Sequence, residues 1–295
     1  MTSVVVCLIA DPARAPLDEA LVAAIGRELG SAPRWLAEAE ACELPLADGA
    51  PPEVVTRLRA ALGAAAIDLA VVPAQPRLKR LLVSDMDSTM ITIECIDELA
   101  DAVGIKAEVA AITRRAMNGE IDFRAALEAR VALLAGLPVA VFEDIYRERL
   151  RYMPGARTLI QTMRARGAVT ALVSGGFVPF TDRVRAALGF HLAQANRLEV
   201  VDGRVTGRLL APLREPRHKQ AMLERLARVC GLTRADTLAV GDGAYDLPML
   251  TAAGLGVAVR AHPTVAASMP VAIRVGDLTA LLYLQGIARR EFVTA

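Results

Sequence analysis

The feature that most constrains the fold of this chain is a set of short apolar runs that alternate with helical segments between residues 80 and 275. Such alternation is typical of an α/β protein with a doubly wound parallel sheet and helices on its faces. Three of the runs, at 80–85, 168–174 and 237–242, end in polar residues or glycines. Because ligands of parallel sheets bind outside the carboxyl ends of the strands, a functional site is predicted where these runs end.

The chain is predicted to contain two units. Residues 1–76 follow a strand, helix, strand, helix, strand pattern, which indicates a small α/β domain, and the stretch 73–80 has the two prolines and three basic residues of a linker. The second unit, 77–295, contains the alternating pattern. Its segment at about 91–152 is charged and helical without a clear strand, so we expect a cap inserted over the carboxyl ends of the strands.

Composition narrows the function classes. The chain has 295 residues, of which 54% are hydrophobic, but no uninterrupted apolar run reaches the ~18 residues of a membrane helix. The apolar start of the chain has no preceding basic residues and soon meets Asp11 and Pro12, so it is interpreted as a strand and not as a signal peptide. We therefore expect a cytoplasmic protein.

Net charge and the spacing of cysteines and histidines exclude further classes of partner and site. With a net charge of +1 the chain lacks the basic surface that nucleic acids or anionic membranes require, so neither is an expected partner. The four cysteines are far apart without a C-x-x-C pair, and the three histidines are scattered. This spacing favours isolated thiols in a reducing compartment over disulfides or a zinc site.

The first of the three strand ends carries two carboxylates, Asp85 and Asp87, directly after an apolar run. Like charges that are buried together are unfavourable unless a cation compensates them. The last strand end supplies Asp242, and Mg²⁺ prefers carboxylate oxygens. A magnesium ion held by Asp85 and Asp242 is therefore predicted.

The remaining polar residues suit phosphoryl transfer. The hydroxyl of Ser174 and the amides around Gly175 can hold phosphate oxygens, and Lys219 can neutralise another. One carboxylate can act as a nucleophile and form an aspartyl phosphate. A second carboxylate, two residues further on, can protonate the leaving alcohol and then activate water.

These stretches resemble a known family. DMDST, SGG, the lone Lys219 and GDGAYD follow the order of the four motifs of the haloacid dehalogenase (HAD) superfamily over about residues 80–260. More narrowly, residues 78–292 resemble phosphoserine phosphatases through DMDSTMITIECIDELAD, MNGEIDFRAALEARVALLAGL and LVSGGF. The resemblance implies a Rossmann-like core with a helical cap. It also implies Mg²⁺-dependent hydrolysis of a small molecule, O-phospho-L-serine, to L-serine and phosphate, the last step of serine biosynthesis.

The resemblance assigns roles in catalysis and metal binding to matching residues. Asp85 would be the nucleophile and a metal ligand. Asp87 would be the general acid and base, and would offer its backbone carbonyl to the metal. Asp242 would complete the protein's metal contacts, with Asp246 supporting from behind.

The resemblance also assigns substrate contacts. The phosphate would be bound by Ser174, Gly175 and Lys219. Glu94 would take the substrate ammonium, and Arg130 would take its carboxylate as a bidentate partner. Met117 and Phe123 would help to close the cap.

The chain departs from the family at Tyr245, where the usual run GDGAND has asparagine. Tyrosine projects a ring several ångströms further, so it either points away from the site or occupies part of it. We expect metal binding to persist and turnover to be lowered. Two alternatives therefore stay open: a related phosphatase or phosphotransferase for another small phosphomonoester, and a regulatory homologue without catalysis.

The first unit resembles the ACT-like domains found in front of some phosphoserine phosphatases. Such domains bind amino acids or mediate dimers. The sequence leaves a homodimer interface, a spacer and a binding site for serine open as alternatives, because residues 1–76 contain no specific residue motif.

Overall fold

Two β-sheets, one in each unit, organise the chain in this computed structural model, which describes residues 3–117 and 120–294. The side chain of Met117, predicted to help close the cap, lies outside the described part. The strands of the first sheet are β1 (Val4–Ala10), β2 (Arg34–Ala37), β3 (Ala41–Leu46) and β4 (Ile67–Pro73). They are antiparallel and lie in the order β2-β3-β1-β4.

Two helices, α1 (Glu19–Leu29) and α2 (Pro52–Ala64), cover one face of this sheet and share an apolar cluster with it. The Asp18 carboxylate caps α1 by accepting from the Leu21 amide at 3.1 Å. The predicted pattern of three strands is wrong, since β2 and β3 occupy the stretch that was expected to hold one. They are joined by a turn at Ala39, whose φ is 56°. No glycine or proline marks this turn, so the sequence pattern gave no sign that one strand ends and another begins there.

The second sheet has seven strands. They are β5 (Leu81–Ser84), β6 (Val169–Phe177), β7 (Leu192–Val201), β8 (Arg204–Leu210), β9 (Thr237–Gly241), β10 (Leu255–Val259) and β11 (Ala272–Ile273). Their order is β11-β10-β9-β5-β6-β7-β8, and all neighbours are parallel except β8, which is antiparallel to β7. The predicted fold class, an α/β core with a parallel sheet, is confirmed.

The hairpin of β7 and β8 turns at Asp202 and Gly203, whose φ angles are 48° and 72°. Two consecutive positive φ angles are typical of a type I′ turn, which the Asp-Gly pair favours. Through this turn the chain passes from β7, which is parallel to β6, to β8, which is the antiparallel edge strand of the sheet.

In the described residues, five α-helices lie between β5 and β6. We call the first four of them the cap: α3 (Cys95–Ala102), α4 (Lys106–Met117), α5 (Phe123–Ala132) and α6 (Ala140–Glu148). An isolated antiparallel bridge joins Ile91 to Tyr152 where the chain leaves and re-enters the core. The remaining helices are α7 (Ala156–Ala165), α8 (Val178–Leu188), α9 (Pro216–Val229), α10 (Leu247–Ala252), α11 (Pro263–Ser268) and α12 (Ala280–Tyr283).

The two units are joined by buried polar contacts. Asp68, 1% exposed on β4, accepts hydrogen bonds from the backbone amides of Arg274, Val275 and Gly276 at 2.8–3.1 Å. The Arg77 guanidinium lies 2.9 Å from the Glu43 carboxylate. Because a buried carboxylate without such partners is strongly destabilising, these contacts hold the first sheet in a defined place on the second unit.

No helix within the described residues combines the length and the apolar character that crossing a membrane would require.

Candidate active site

The carboxyl ends of the two central strands bring three carboxylates together. Asp85 follows β5 and Asp242 follows β9, and these strands are parallel neighbours in which Ser84 pairs with Val240. Asp246 ends a short 3₁₀ helix just beyond. One carboxylate oxygen from each of Asp85, Asp242 and Asp246 lies within 4.8 Å of the others. Residues predicted to share a site from three positions in the sequence thus form one acidic cluster.

Lys219 bridges two members of this cluster. Its Nζ lies 2.7 Å from Asp85 Oδ1 and 2.6 Å from Asp246 Oδ1, and the residue is only 6% exposed. Burial alone lowers the pKa of the ammonium, but the charges of Asp246 and Asp85 outweigh that effect and raise the pKa above its usual value. Lys219 is therefore a permanent cation beside Asp85.

Asp246 also holds the loop that carries Asp242. Its Oδ2 accepts from the amides of Asp242 at 3.2 Å and of Gly243 at 3.0 Å. A Cβ at Gly241 would lie 2.4 Å from the Asp246 carboxyl carbon, so only glycine fits at the end of β9. The supporting role predicted for Asp246 is consistent with this placement.

The acidic cluster carries more negative charge than Lys219 compensates. Burial, and next the charge of Asp246, raise the pKa of Asp85 well above its usual value, against the opposing effect of Lys219. Burial raises the pKa of Asp242 to about 6, although the Thr89 hydroxyl donates to its Oδ1 at 2.5 Å. A set of oxygen donors with surplus negative charge fits a hard divalent cation.

Asp87 and Ser174 lie together beside the cluster. Ser174 Oγ is 3.4 Å from Asp87 Oδ2, while the Cys95 amide donates to Asp87 Oδ1 at 3.3 Å. Burial raises the pKa of Asp87. A Cβ at Gly176 would lie 2.9 Å from Asp87 Oδ2, so the glycine allows this close approach.

The cap side of the site contributes one carboxylate and one guanidinium. Glu94 Oε1 accepts from the Ser88 hydroxyl at 2.6 Å, and burial, with the charge of Asp87, raises the pKa of Glu94 to about 8. Arg130 on α5 donates from Nε to the Ala126 carbonyl at 3.2 Å. Burial lowers the pKa of Arg130, and in residues 3–117 and 120–294 no carboxylate lies within ion-pair distance of its guanidinium.

Tyr245 lies where the core meets the cap. Its ring is 4.9 Å from the Phe123 ring, centroid to centroid, and Tyr245 is 42% exposed. The edge of Phe123 lies 3.7 Å from the position that a Gly175 Cβ would take. Phe123 therefore contacts both Tyr245 and the end of β6 at Gly175, and the Tyr245 ring packs on the cap.

Two polar residues at the site were missed in the sequence analysis. Thr89 donates to Asp242, and Asn196 on β7 is fully buried with both ends of its amide bonded to backbone. Asn196 lies in a strand in which polar and apolar residues alternate. No local pattern distinguishes it from the other polar residues of that strand. Thr89 could have been found from its position next to Ser88 in the first motif.

Comparison with known proteins identifies the family of hydrolases to which the chain belongs. The family model for haloacid dehalogenase-like hydrolases matches residues 82–251. A solved HAD family hydrolase from Salmonella enterica serovar Typhi superposes with a TM-score of 0.86 at 30% identity, and the alignment covers 96% of this chain and 98% of that one. The chain belongs to the haloacid dehalogenase-like hydrolases, as the four motifs predicted.

Relatives with known names identify a narrower family within these hydrolases. A phosphoserine phosphatase of Polaromonas is 47% identical over 225 residues, which are 73% of this chain and 95% of the relative. A phosphoserine phosphatase of Streptomyces coelicolor is 46% identical over 242 residues, which are 81% of this chain but 59% of that longer relative. Within the hydrolase class, the chain belongs to the phosphoserine phosphatase family.

Proposed function

We propose that this chain hydrolyses O-phospho-L-serine to L-serine and phosphate. Its family supports this substrate, and the observation that carries the chemistry is Asp85, held by Lys219 at the edge of an acidic cluster. Glu94 and Arg130 support an amino-acid substrate, because a carboxylate matches an ammonium, and a guanidinium that has no carboxylate partner among the described residues matches a carboxylate.

The proposed reaction begins when an Asp85 oxygen attacks phosphorus. The ester P–O bond breaks, its electron pair stays on the serine oxygen, and Asp87 donates a proton to that oxygen. Burial raises the pKa of Asp87, which favours the protonated form that this step needs. Water then attacks the aspartyl phosphate, passes a proton back to Asp87 and releases phosphate from Asp85.

Phosphate oxygens would be neutralised by the Lys219 ammonium and by donors at Ser174 and Gly175. Mg²⁺ would be held by Asp85, the Asp87 carbonyl and Asp242. When bound, it would supply positive charge that keeps the carboxylates ionised and withdraws charge from a phosphate oxygen. Asp246 would keep Lys219 and the Asp242 loop in place.

We also propose the domain organisation expected from the sequence: an ACT-like domain at 1–76 and a phosphatase domain at 77–295 with its cap at about 91–152. The strand order β2-β3-β1-β4 supports the first part. We propose further that the enzyme is cytoplasmic, that it has no nucleic-acid or membrane partner, and that it forms a homodimer. Light scattering of the full chain tests the dimer, and calorimetry of the full chain with serine tests effector binding.

The experiment that tests the activity is phosphate release from L-phosphoserine with Mg²⁺, beside a panel of other phosphomonoesters. Asp85→Asn is the blank. Selective release from phosphoserine that disappears in the blank and with chelator supports the proposal. Release from another ester would keep the chemistry and change the substrate. If no ester is hydrolysed while Mg²⁺ still binds, the alternative of a non-catalytic homologue replaces it.

A further inference from the structure

We infer that Asn196 is a positioning residue for residues 174–176, the end of β6 that is proposed to bind phosphate, an inference that rests on the proposed function. Asn196 lies on β7, outside the four motifs, and its side chain is buried with 0% exposure. Its Nδ2 donates to the Gly175 carbonyl at 2.8 Å, and its Oδ1 accepts from the Arg214 amide at 2.7 Å. Both polar atoms of the amide are thus used on backbone groups.

The contact with Gly175 sets the orientation of a single peptide plane. In a trans peptide the C=O and N–H point in opposite directions. The carbonyl of the Gly175–Gly176 peptide is held by Asn196, and its N–H, on the other side, donates to Ser174 Oγ at 2.8 Å. Ser174 Oγ in turn faces Asp87. Asn196 therefore acts on Ser174 through a peptide that it fixes from behind.

A glycine pair needs such a restraint. Glycine populates more backbone conformations than any other residue, so the peptide between Gly175 and Gly176 would otherwise rotate at little energetic expense. The orientation of the Asn196 amide is itself determined by its partners. A flipped amide would set its oxygen against the Gly175 carbonyl and its NH₂ against the Arg214 N–H, and both contacts would be lost.

The second contact of Asn196 joins the other phosphate-binding element. Arg214 lies two residues before α9, which begins at Pro216 and carries Lys219 in its first turns. One buried amide therefore connects the end of β6 to the segment that leads into α9, the helix that carries Lys219.

The test is Asn196→Asp. This change keeps Oδ1 for the Arg214 amide and replaces the donor to Gly175 with an oxygen that repels the carbonyl. We expect KM for phosphoserine and Kd for inorganic phosphate to rise roughly tenfold or more, since a buried carbonyl loses its partner.

A double-mutant cycle shows whether the effect passes through Ser174. In a Ser174→Ala background the same Asn196→Asp change should alter kcat/KM by less than about threefold, because the hydroxyl that it positions is gone. Equal effects in both backgrounds would overturn the inference, as would unchanged phosphate binding in a folded Asn196→Asp protein. If Asn196→Asp does not fold, Asn196→Ala goes through the same cycle under the same criteria.

The matched control is Gln285→Glu. Gln285 is buried, accepts from the Lys79 amide at 2.9 Å and donates to the Leu281 carbonyl at 2.9 Å, so it is an equivalent bridge in another part of the fold. Its change should lower the melting temperature and leave phosphate binding unchanged. If this control lowered phosphate affinity by the same amount, the effect of Asn196→Asp would reflect general destabilisation, and the inference would be overturned.

Failure of the proposed function is distinguishable from failure of this inference. The phosphate group is common to all phosphomonoesters, so the cycle is run in parallel with p-nitrophenyl phosphate. If only another ester is hydrolysed, the cycle still decides the role of Asn196. If none is, the Kd of inorganic phosphate in the four proteins of the cycle decides it.

Discussion

The Tyr245 ring meets the Phe123 ring edge-on, with centroids 4.9 Å apart and ring planes at 74°. Tyr245 belongs to the core, in the 3₁₀ helix Ala244–Asp246, and Phe123 begins α5 of the cap. An aromatic pair of this geometry contributes about 0.5–1.5 kcal/mol beyond burial. The residue that departs from the family motif therefore fastens the cap to the core.

Tyr245→Asn is expected to raise kcat for phosphoserine. The variant loses the ring contact that holds the cap closed, so release of product becomes faster by roughly two- to tenfold, the rate equivalent of the contact energy. Steady-state kinetics on L-phosphoserine measure this change. Tyr245→Phe keeps the ring pair and serves as the control, with kcat within about twofold of the original chain. An equal or lower kcat for Tyr245→Asn contradicts the prediction.

Arg130→Lys is expected to raise KM for phosphoserine by roughly tenfold without the same effect on p-nitrophenyl phosphate. Lysine keeps the charge but loses the fork of donors that binds a carboxylate in two places. The comparison of KM for the two esters is the measurement, since only phosphoserine carries a carboxylate. A parallel rise for both esters would show that Arg130 contributes to the cap in general and not to substrate recognition.

Lys219→Met is expected to lower the free energy of unfolding in chelator at pH 8 by about 3 kcal/mol and kcat/KM by roughly 10²-fold. The variant leaves Asp85 and Asp246 without their shared cation. Urea denaturation and kinetics measure the two effects. Lys79→Met is the matched control, because Lys79 is also buried but donates to two backbone carbonyls. A similar loss of kcat/KM in the control would argue against a specific role for Lys219.

The protein is expected to lose stability in chelator as the pH rises from about 4 to about 8. The folded pKa values of Asp242, about 6, and Glu94, about 8, exceed unfolded values near 4. The folded state therefore binds more protons in this window, and the free energy of unfolding falls with pH. This stability is complete below about pH 4 and is lost as the pH passes the two folded values.

Urea denaturation at several pH values measures this dependence. Asp242→Asn should remove the part of the slope near pH 6, and added Mg²⁺ should flatten the curve, because a cation favours the ionised carboxylates. Carboxylates whose pKa is lowered, such as Asp236, act in the opposite direction and only below about pH 4. Stability that is constant or increases from pH 5 to pH 8 in chelator would contradict the prediction.

Much of the site could be predicted because it depends on strand ends. Apolar runs mark β5, β6 and β9, and parallel strands bring their carboxyl ends to one edge, so Asp85, Ser174 and Asp242 could be expected at the same edge. That they are neighbours follows from the strand order β9-β5-β6, which the structure shows. The fold class followed from the same alternation. The turn at Ala39 could not be predicted, because its left-handed backbone is imposed by the pairing of β2 with β3 and not by its residue type.

By itself, the sequence determined the layering of the fold, the family and which residue types meet at the sheet edge, since these depend on periodicity and on local motifs. Only the tertiary structure decided that Lys219 bridges Asp85 and Asp246, that Asn196 holds the Gly175 carbonyl, and that Tyr245 packs on Phe123. Those contacts join residues far apart in the chain. Their partners are selected by the packing of cap and core, which no local pattern encodes.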